Sequence, residues 1–286
     1  MTSDISTSQT DTPPAGAAGG LQTQAQWRAL FAGFSHIILV ANSDAVNIDN
    51  LRKTYPATTL FVFFNKVYKV LDRPFSGHSI LVSRGGPKGA NIVRLGEVEE
   101  VLKFFPKDDF LGILNLRVNA DEKLNTPEEF AGAATGHLDL TGFGSDFYPQ
   151  AKVPTSGFVL ALWLCDLKLP ATIVLAGFSA RRSEKWRVVS VHDWAFEQVF
   201  LRLFARVGKI TVHGGVETNA YATLAGRFPE IPANDIAMTI AEVLSERVGN
   251  ANAEIDKLIS LTNVIRATDN FFRRLPKFRK KRVPPQ

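Results

Sequence analysis

Six short runs of β-branched, aliphatic and aromatic residues constrain the fold of this chain more than any other feature. Most of the runs are apolar at consecutive positions instead of alternating with polar residues. This is the pattern of strands that are covered on both faces in a mainly parallel sheet. The runs are residues 36–40, 60–64, 79–83, 110–114, 172–177 and 209–213. They predict an α/β protein.

Helical patterns separate several of these runs. Apolar residues at helical spacing occur in residues 97–105, and residues 157–167 and 193–206 have the composition of buried helices. Alternation of strands with helices indicates a mainly parallel, doubly wound sheet flanked by helices, which is a Rossmann-like arrangement. The fold class predicted is therefore α/β, with further helices at the C-terminus.

The predicted C-terminal helices occupy residues 234–267, where apolar residues form a stripe at helical spacing. Gly249 and Asn250 are expected to divide this stretch into two helices, because both residue types favour helix ends. The favoured interpretation is an amphipathic layer packed on the sheet. An exposed oligomerisation coil is the alternative, disfavoured because only a couple of heptads are sustained.

Both ends of the chain differ in composition from its middle. Residues 1–24 are rich in Thr, Ser, Ala, Gly and Pro and are predicted to be a disordered leader, followed by a single domain over residues 25–268. The arm at residues 269–286 includes seven cations, and removing them from the net charge of +5 leaves −2 for the rest. We expect the arm to contact an anionic membrane surface or to be a solvated tail; nucleic acid is not the expected partner.

The single cysteine, Cys165, excludes an intrachain disulfide and favours a reducing compartment. The sequence has neither the basic and apolar regions of a secretory signal nor an apolar run of about 18 residues. The expected location is the cytoplasm, with the inner face of the membrane as a peripheral site.

A polar turn at the start of one predicted helix has the properties of a phosphate site. Thr155, Ser156 and Gly157 follow Pro154 and precede an apolar helical run. The first turn of a helix offers N–H groups without internal acceptors and the positive end of the helix dipole, and both favour an anion. Residues 84–89 also contain glycines after a strand but lack the P-loop ending, and they are interpreted as a simple turn.

Two asparagines follow predicted strands, where ligands bind in open α/β sheets. Asn42 and Ser43 come after the first strand and Asn65 after the second. An amide side chain both donates and accepts, which suits ribose hydroxyls and phosphate oxygens. A lone asparagine more often caps a turn or helix, but two at equivalent strand ends favour a binding site.

His192 is the candidate general base. If Asp193 is the N-cap of the following helix, the helix dipole disfavours the protonated imidazole and keeps it available as a base. A capping box over residues 190–193 would instead place His192 in the first turn. Glu197 lies five residues further on, about 140° away on a helix, so it is expected to have a structural role and not to orient the imidazole.

These segments together resemble the sialylmotifs of the animal-type sialyltransferases, glycosyltransferase family 29. Asn42 and Asn65 match the two asparagines of the large motif, which contact the cytidine monophosphate (CMP) part of the donor in that family. The small motif matches Thr155, Ser156, Gly157, Gly177 and Phe178, and the very small motif matches His192 and Glu197. The resemblance covers roughly residues 35–200, in the order of the family.

The chain also departs from the family pattern. Thr155 and Ser156 reverse the order of the family, the cysteine of the large motif is missing, and so is the His-Tyr motif. Arg181, Arg182, Lys185 and Arg187 occupy the stretch where that last motif is expected. No membrane anchor is recognised, which favours a bacterial-style member.

The resemblance implies a glycosyltransferase that moves a sialic acid or a related ulosonic acid, such as Kdo, from a CMP-sugar to a glycan or lipid-linked glycan. His192 is then the catalytic base, and Asn42, Ser43, Asn65, Thr155, Ser156, Gly157, Gly177 and Phe178 bind the donor. No Asp-x-Asp motif follows a predicted strand, and His78, His137 and His213 lack the spacing of metal ligands, so no metal or other cofactor is expected.

Two alternatives stand beside this interpretation. One is a non-catalytic α/β protein that binds nucleotide or glycan and whose basic arm binds nucleic acid. The other is a Rossmann-type methyltransferase or dehydrogenase, which is disfavoured because residues 41–44 contain no glycine fingerprint after the first strand.

Overall fold

A computed structural model describes residues 13–86, 91–179, 191–215, 227 and 229–274. The chain divides into two compact units, Met1–Val216 and Glu217–Gln286. The division lies well before residue 268, where the sequence predicts the single domain to end.

The first unit contains a seven-stranded sheet and five α-helices among its described residues. The strands are β1 His36–Val40, β2 Thr59–Phe64, β3 Ser79–Arg84, β4 Phe110–Arg117, β5 Thr135–Asp139, β6 Thr172–Ala176 and β7 Thr211–Val212. The helices are α1 Gln24–Ala32, α2 Ile48–Thr54, α3 Val98–Leu102, α4 Ser156–Asp166 and α5 Trp194–Arg206.

The strands lie in the order β5-β4-β3-β2-β1-β6-β7, and each neighbouring pair is parallel. Strands β2 to β5 extend the sheet to one side of β1, and β6 and β7 extend it to the other. This confirms the predicted α/β class and the parallel, doubly wound sheet. The direction of winding reverses between β1 and β6, so the crevice beyond their carboxyl ends is the expected ligand position.

A separate apolar core covers each face of the sheet. One core joins alternate strand residues such as Leu39 and Val62 to side chains of α1, α4 and α5, including Trp27 and Trp163. The other joins the intervening residues, such as Phe63, to side chains of α2 and α3. Burial on both faces explains why the central strands are apolar at consecutive positions.

Three elements of the first unit are not predicted by the sequence. Strand β5 has the sequence Thr-Gly-His-Leu-Asp, with one large apolar residue, so it lacks a strand pattern. Helices α1 and α2 have nine and seven residues. Each of these helices is short and buries only one side, so its apolar residues form too weak a periodic pattern to predict a helix.

The expected disordered leader to residue 24 is wrong for its second half. Gly16 and Ala18 donate backbone hydrogen bonds to the carbonyls of Phe110 and Leu111, and Ala18 is completely buried. Gly20 donates to the carbonyl of Thr135 in β5. This part of the chain therefore pairs through its backbone with the first residues of β4 and β5. Residues 1–12 lie outside the described residues.

The second unit contains one described helix, α6, which runs from Ala233 to Arg274 without interruption. The predicted break at Gly249 and Asn250 is wrong, because a single glycine costs a helix only about 1 kcal/mol. Several residues of the predicted apolar stripe, such as Leu244, Val248 and Ile255, are exposed. No helix in the described parts of the chain combines the length and the apolar character needed to cross a membrane.

Candidate functional site

The carboxyl ends of β1 and β6 meet at the crevice where the winding of the sheet reverses. Val40 pairs with Ala176 in the last register step, and the N–H of Ala41 donates to the carbonyl of Ala176 over 2.9 Å. Asn42 and Ser43 follow β1 after Ala41, and Gly177 and Phe178 follow directly after β6. Four of the predicted binding residues therefore lie at the position that ligands occupy in doubly wound sheets.

Asn42 does not cap a helix; Asn47 caps α2 instead. The Asn42 Nδ2 group donates to the carbonyl of Phe64 over 2.8 Å, which ties the end of β1 to the end of β2. Its Oδ1 atom is buried and has no hydrogen-bond partner within the described residues. A buried acceptor without a donor is destabilising by about 1–3 kcal/mol, and a donor group on a ligand would remove that cost.

Asn65 holds the ends of β2 and β3 together. It has a positive φ of 38°, a conformation that asparagine tolerates better than most residues, and its N–H donates to the carbonyl of Val82. Its Oδ1 accepts from the N–H of Arg84 over 3.4 Å. Asn65 thus lies at the edge of the sheet next to Asn42, with a structural contact of its own.

Gly177 and Gly157 allow two loops of the site to pack closely. Gly177 has φ of 78°, and a Cβ there would clash with Val46 and lie 3.0 Å from the Cβ of Ser43. A Cβ on Gly157 would lie 2.5 Å from the ring of Phe178. The start of α4, the loop after β6 and the loop after β1 are therefore in direct contact, although they are far apart in sequence.

Thr155 is the N-cap of α4, and its Oγ1 accepts from the N–H of Phe158 over 3.1 Å. Ser156 and Gly157 are the next two residues, so their N–H groups belong to the first turn, which has no internal acceptors. Residues 157–164 of α4 are all buried, which fixes the position of this helix start at the edge of the sheet.

Glu197 on α5 holds the start of α4 in place through hydrogen bonds. Its carboxylate accepts from the Thr155 N–H over 2.8 Å, from the Thr155 hydroxyl over 2.7 Å and from the Tyr148 hydroxyl over 2.9 Å. Burial raises the pKa of Glu197, and these hydrogen bonds oppose the rise. The predicted structural role of Glu197 is confirmed, because the carboxylate holds Thr155 and does not contact the imidazole of His192.

His192 lies immediately before α5, whose N-cap is Asp193, as the first of the two sequence alternatives predicts. The Nδ1 atom lies 2.6 Å from the carbonyl oxygen of Val153. A carbonyl only accepts, so Nδ1 carries the proton and Nε2 is the basic nitrogen. Burial lowers the pKa of His192, the bond to Val153 opposes this, and the charge of Arg84 lowers the pKa further.

Arg84 links the sheet to the segment that holds His192, and the sequence did not identify it. Its guanidinium forms a buried ion pair with Glu122 at 2.7 Å and donates to the carbonyl of Pro154 over 2.7 Å. The side chains of the pair are 10% and 7% exposed. A charged residue at the end of an apolar strand was the available signal, but it was interpreted as the start of a turn.

Two cavities open at the same edge of the sheet. One of about 460 Å³ extends from Ser43 to α2 and to residues 69–75, and the charged residues Asp49, Arg52 and Arg73 are part of its lining. The other, of about 310 Å³, is lined by residues that follow β3 and β4, among them Gly85, Asn91, Arg94 and Asn125. Asn125 is 5% exposed, and its Oδ1 has no partner within the described residues.

The structure thus brings nearly all of the sequence-predicted residues to one edge of the sheet through a chain of contacts. These contacts run from Asn42 and Asn65 through Arg84 to Pro154, and from Thr155 through Glu197 and Tyr148 to the N–H of Asp193. In the described parts of the chain, no group of three or more His, Cys, Asp and Glu side chains could hold a metal ion. Arg181, Arg182, Lys185 and Arg187 lie outside the described residues.

Comparison with known proteins shows a distant likeness to a solved structure. No family model matches the chain, and no curated protein matches it. A solved structure of a mammalian sialyltransferase in complex with Gal-beta-1-3GalNAc-ortho-nitrophenol is similar with a TM-score of 0.32 and 13% identity, over 71% of this chain and 67% of that chain. At this level of similarity, any assignment of function depends on the site itself.

Proposed function

We propose that the chain is a glycosyltransferase that transfers a sialic acid or a related ulosonic acid, such as Kdo, from a CMP donor to a glycan. The observation that carries the proposal is His192, a neutral imidazole held by Val153 with Nε2 as its basic nitrogen. Val153 belongs to the segment that Arg84 and Glu197 hold through Pro154 and Thr155. A base beside a nucleotide crevice is what sugar transfer to a hydroxyl requires.

The donor would lie in the crevice between β1 and β6. Asn42 Oδ1 offers an acceptor for a ribose hydroxyl or a base amino group, because it is buried without a donor within the described residues. Ser43, Asn65, Gly177 and Phe178 complete this part of the site. The phosphate would lie at the start of α4, near Thr155, Ser156 and Gly157, where the helix dipole and the N–H groups of the first turn favour an anion.

The acceptor hydroxyl gives its proton to Nε2 of His192 as its oxygen forms a bond to the anomeric carbon of the donor. The bond from that carbon to the phosphate oxygen breaks, and its electron pair leaves with CMP. Nearby N–H groups stabilise the charge on the phosphate, and general-base catalysis contributes on the order of 10²–10⁴-fold. The proposal needs no metal ion.

The acceptor in this proposal is a glycan, free or lipid-linked. The 310 Å³ cavity offers space for it, and Asn91, Asn125 and Arg94 in its lining suit sugar hydroxyls. Gly85, also in the lining, directly follows Arg84, which contacts the segment that holds His192. The basic arm, residues 269–286, would bring the protein to an anionic membrane that carries such lipids; residues 275–286 lie outside the described residues.

The test is release of CMP from a panel of CMP-sugars, with free and lipid-linked glycans as acceptors, in buffer containing EDTA. We expect release to depend on one donor and on an acceptor, and His192→Ala to lose at least about 100-fold in rate while CMP still binds. Full turnover by His192→Ala would refute the base. Binding of CMP without turnover of any donor would favour the non-catalytic alternative.

A further inference from the structure

Helix α6 carries an apolar stripe, most of which is open to solvent. We define the stripe as Ile240, Leu244, Val248, Ala251 and Ile255, which lie within about 80° of one another around the helix at 100° per residue. Leu244, Val248 and Ile255 are 53%, 59% and 50% exposed. A contiguous row of exposed apolar side chains on a 42-residue helix marks an interaction surface.

The spacing of the stripe is self-complementary. From Ile240 to Ile255 the steps are four, four, three and four residues. The step of three lies at Gly249 and Asn250, so Leu244 and Ile255 are equally far from the centre of that pair, and so are Val248 and Ala251. Leu244 and Ile255 are eleven residues apart, a repeat that gives a nearly straight or slightly right-handed contact instead of a heptad coil.

We propose that α6 pairs with α6 of a second copy of this chain in an antiparallel arrangement, with the two-fold axis between Gly249 and Asn250. In this arrangement Leu244 packs on Ile255 of the second copy, and Val248 packs on Ala251 of the second copy. Each contact occurs twice, because a two-fold interface uses the same surface on both copies. In this register each stripe residue from Leu244 to Ile255 meets an apolar residue of the second copy.

Charge complementarity selects the antiparallel pairing. Arg247 and Glu254 lie on the same side of the stripe, and in the antiparallel pair each approaches the other residue of the second copy within about two residues of rise, or about 3 Å along the axis. Val243 and Leu258, which are 49% and 62% exposed, meet on that side in the same way. A parallel pair would instead place Arg247 and Glu254 beside the opposite flank, which carries the uncharged Ser245 and Asn252.

The charges around the helix also favour a second copy over a lipid surface. Glu242, Glu246, Glu254 and Asp256 are all exposed on α6. Four carboxylates over this stretch oppose approach to an anionic membrane, whereas the antiparallel pair uses Glu254 as a partner for Arg247. The pairing is independent of the proposed transfer reaction.

The first measurement is the mass of the full-length protein in solution by sedimentation equilibrium. We expect a concentration-dependent species of twice 31.4 kDa. Leu244→Glu and Ile255→Glu should each raise the dissociation constant by at least about 100-fold, because each places an unpaired charge in the apolar contact. Met238→Glu is the matched control, since Met238 is 55% exposed on the same helix but lies about 120° from Leu244. A monomer at all concentrations, or equal effects of the three variants, would overturn the proposal.

The second measurement is a charge exchange, followed by circular dichroism to show that each variant keeps its helix. Arg247→Glu and Glu254→Arg should each weaken the dimer by about two- to tenfold, and the double variant should restore it. Failure of the double variant to restore the dimer would contradict the antiparallel register.

The third measurement uses disulfides in a Cys165→Ser background. Val248→Cys combined with Ala251→Cys should give a cross-linked dimer under mild oxidation, because these positions face each other across the axis. Leu244→Cys alone should not, since the two copies of position 244 are about 16 Å apart along the axis. Cross-linking through position 244 alone would indicate a parallel pair and overturn the proposal.

Discussion

At the scale of single residues, the candidate site combines groups that we propose to contact a ligand with groups that hold them in place. Asn42 has a buried Oδ1 without a partner within the described residues, and His192 has a basic nitrogen that its contact with Val153 leaves available. Glu197 and Arg84, by contrast, have their hydrogen-bonding capacity engaged by Thr155, Tyr148, Glu122 and Pro154. Substitution of Asn42 or His192 should affect ligand binding or the rate of transfer. Substitution of Glu197 or Arg84 should affect the placement of the site residues and the stability of the fold.

The pH dependence of transfer tests the state of His192. Burial lowers its pKa below the ordinary value of 6.5, so the neutral, basic form persists to lower pH than for a free imidazole. Activity should therefore be constant near neutral pH and should fall only as the pH drops through this lowered pKa. The measurement is kcat/KM against pH, with the acid limb expected below pH 6.5.

Unfolding in acid would produce a similar limb, and tryptophan fluorescence over the same pH range distinguishes the two causes. A limb above pH 6.5 with an intact fold would contradict the lowered pKa of His192.

At the scale of elements, the sequence predicts the central strands well and the edge strand β5 poorly. Strands β1, β2 and β6 are buried on both faces, so their burial dictates an apolar run that is visible in the sequence. Strand β5 lies at the edge of the sheet, and Thr135 and His137 form backbone hydrogen bonds with Gly20 and Leu21. Backbone pairing leaves little trace in residue type, so the sequence of residues 13–24 does not indicate their ordered pairing.

The same distinction separates the predicted from the missed parts of the site. Asn42, Asn65 and His192 were predicted because strand ends and helix starts can be located from local patterns. Arg84 and Tyr148 act through contacts with residues 70 and 49 positions away, and local patterns contain no information on such contacts. The tautomer of His192 likewise depends on Val153, which is 39 residues away.

Gly136 in β5 tests how tightly the N-terminal segment covers the edge of the sheet. A Cβ on Gly136 would clash with the carbonyl of Ala18, and it would lie 2.8 Å from the Trp27 ring and 2.9 Å from the carbonyl of Leu21. Gly136→Ala should therefore lower the free energy of unfolding by about 1–3 kcal/mol, measured by urea denaturation.

Gly249→Ala is the control for that substitution. A Cβ on Gly249 meets nothing within 4 Å, so alanine there should leave the fold intact and raise helicity. An unchanged stability of Gly136→Ala would mean that the N-terminal segment does not pack on β5.

At the scale of the whole molecule, the residues proposed for donor binding and catalysis belong to the first unit. Asn42, the first of them, and His192, the last, both lie within Met1–Val216, as do the seven strands and both apolar cores. The second unit contributes α6 with its exposed stripe. Nucleotide binding and self-association are therefore expected to separate along the chain.

Truncation after Val216 tests this separation. The truncated chain keeps every described strand, so it should unfold in a cooperative transition and bind CMP with an affinity within about threefold of the full chain. It should also be a monomer at concentrations where the full chain pairs, because α6 is absent. Calorimetric titration with CMP and sedimentation of both chains measure the two properties.

Loss of CMP binding in a folded, truncated chain would show that residues beyond 216 complete the donor site, whereas persistence of the dimer would place the self-association surface on the first unit. The two results are independent, since one depends on the crevice between β1 and β6 and the other on the stripe of α6.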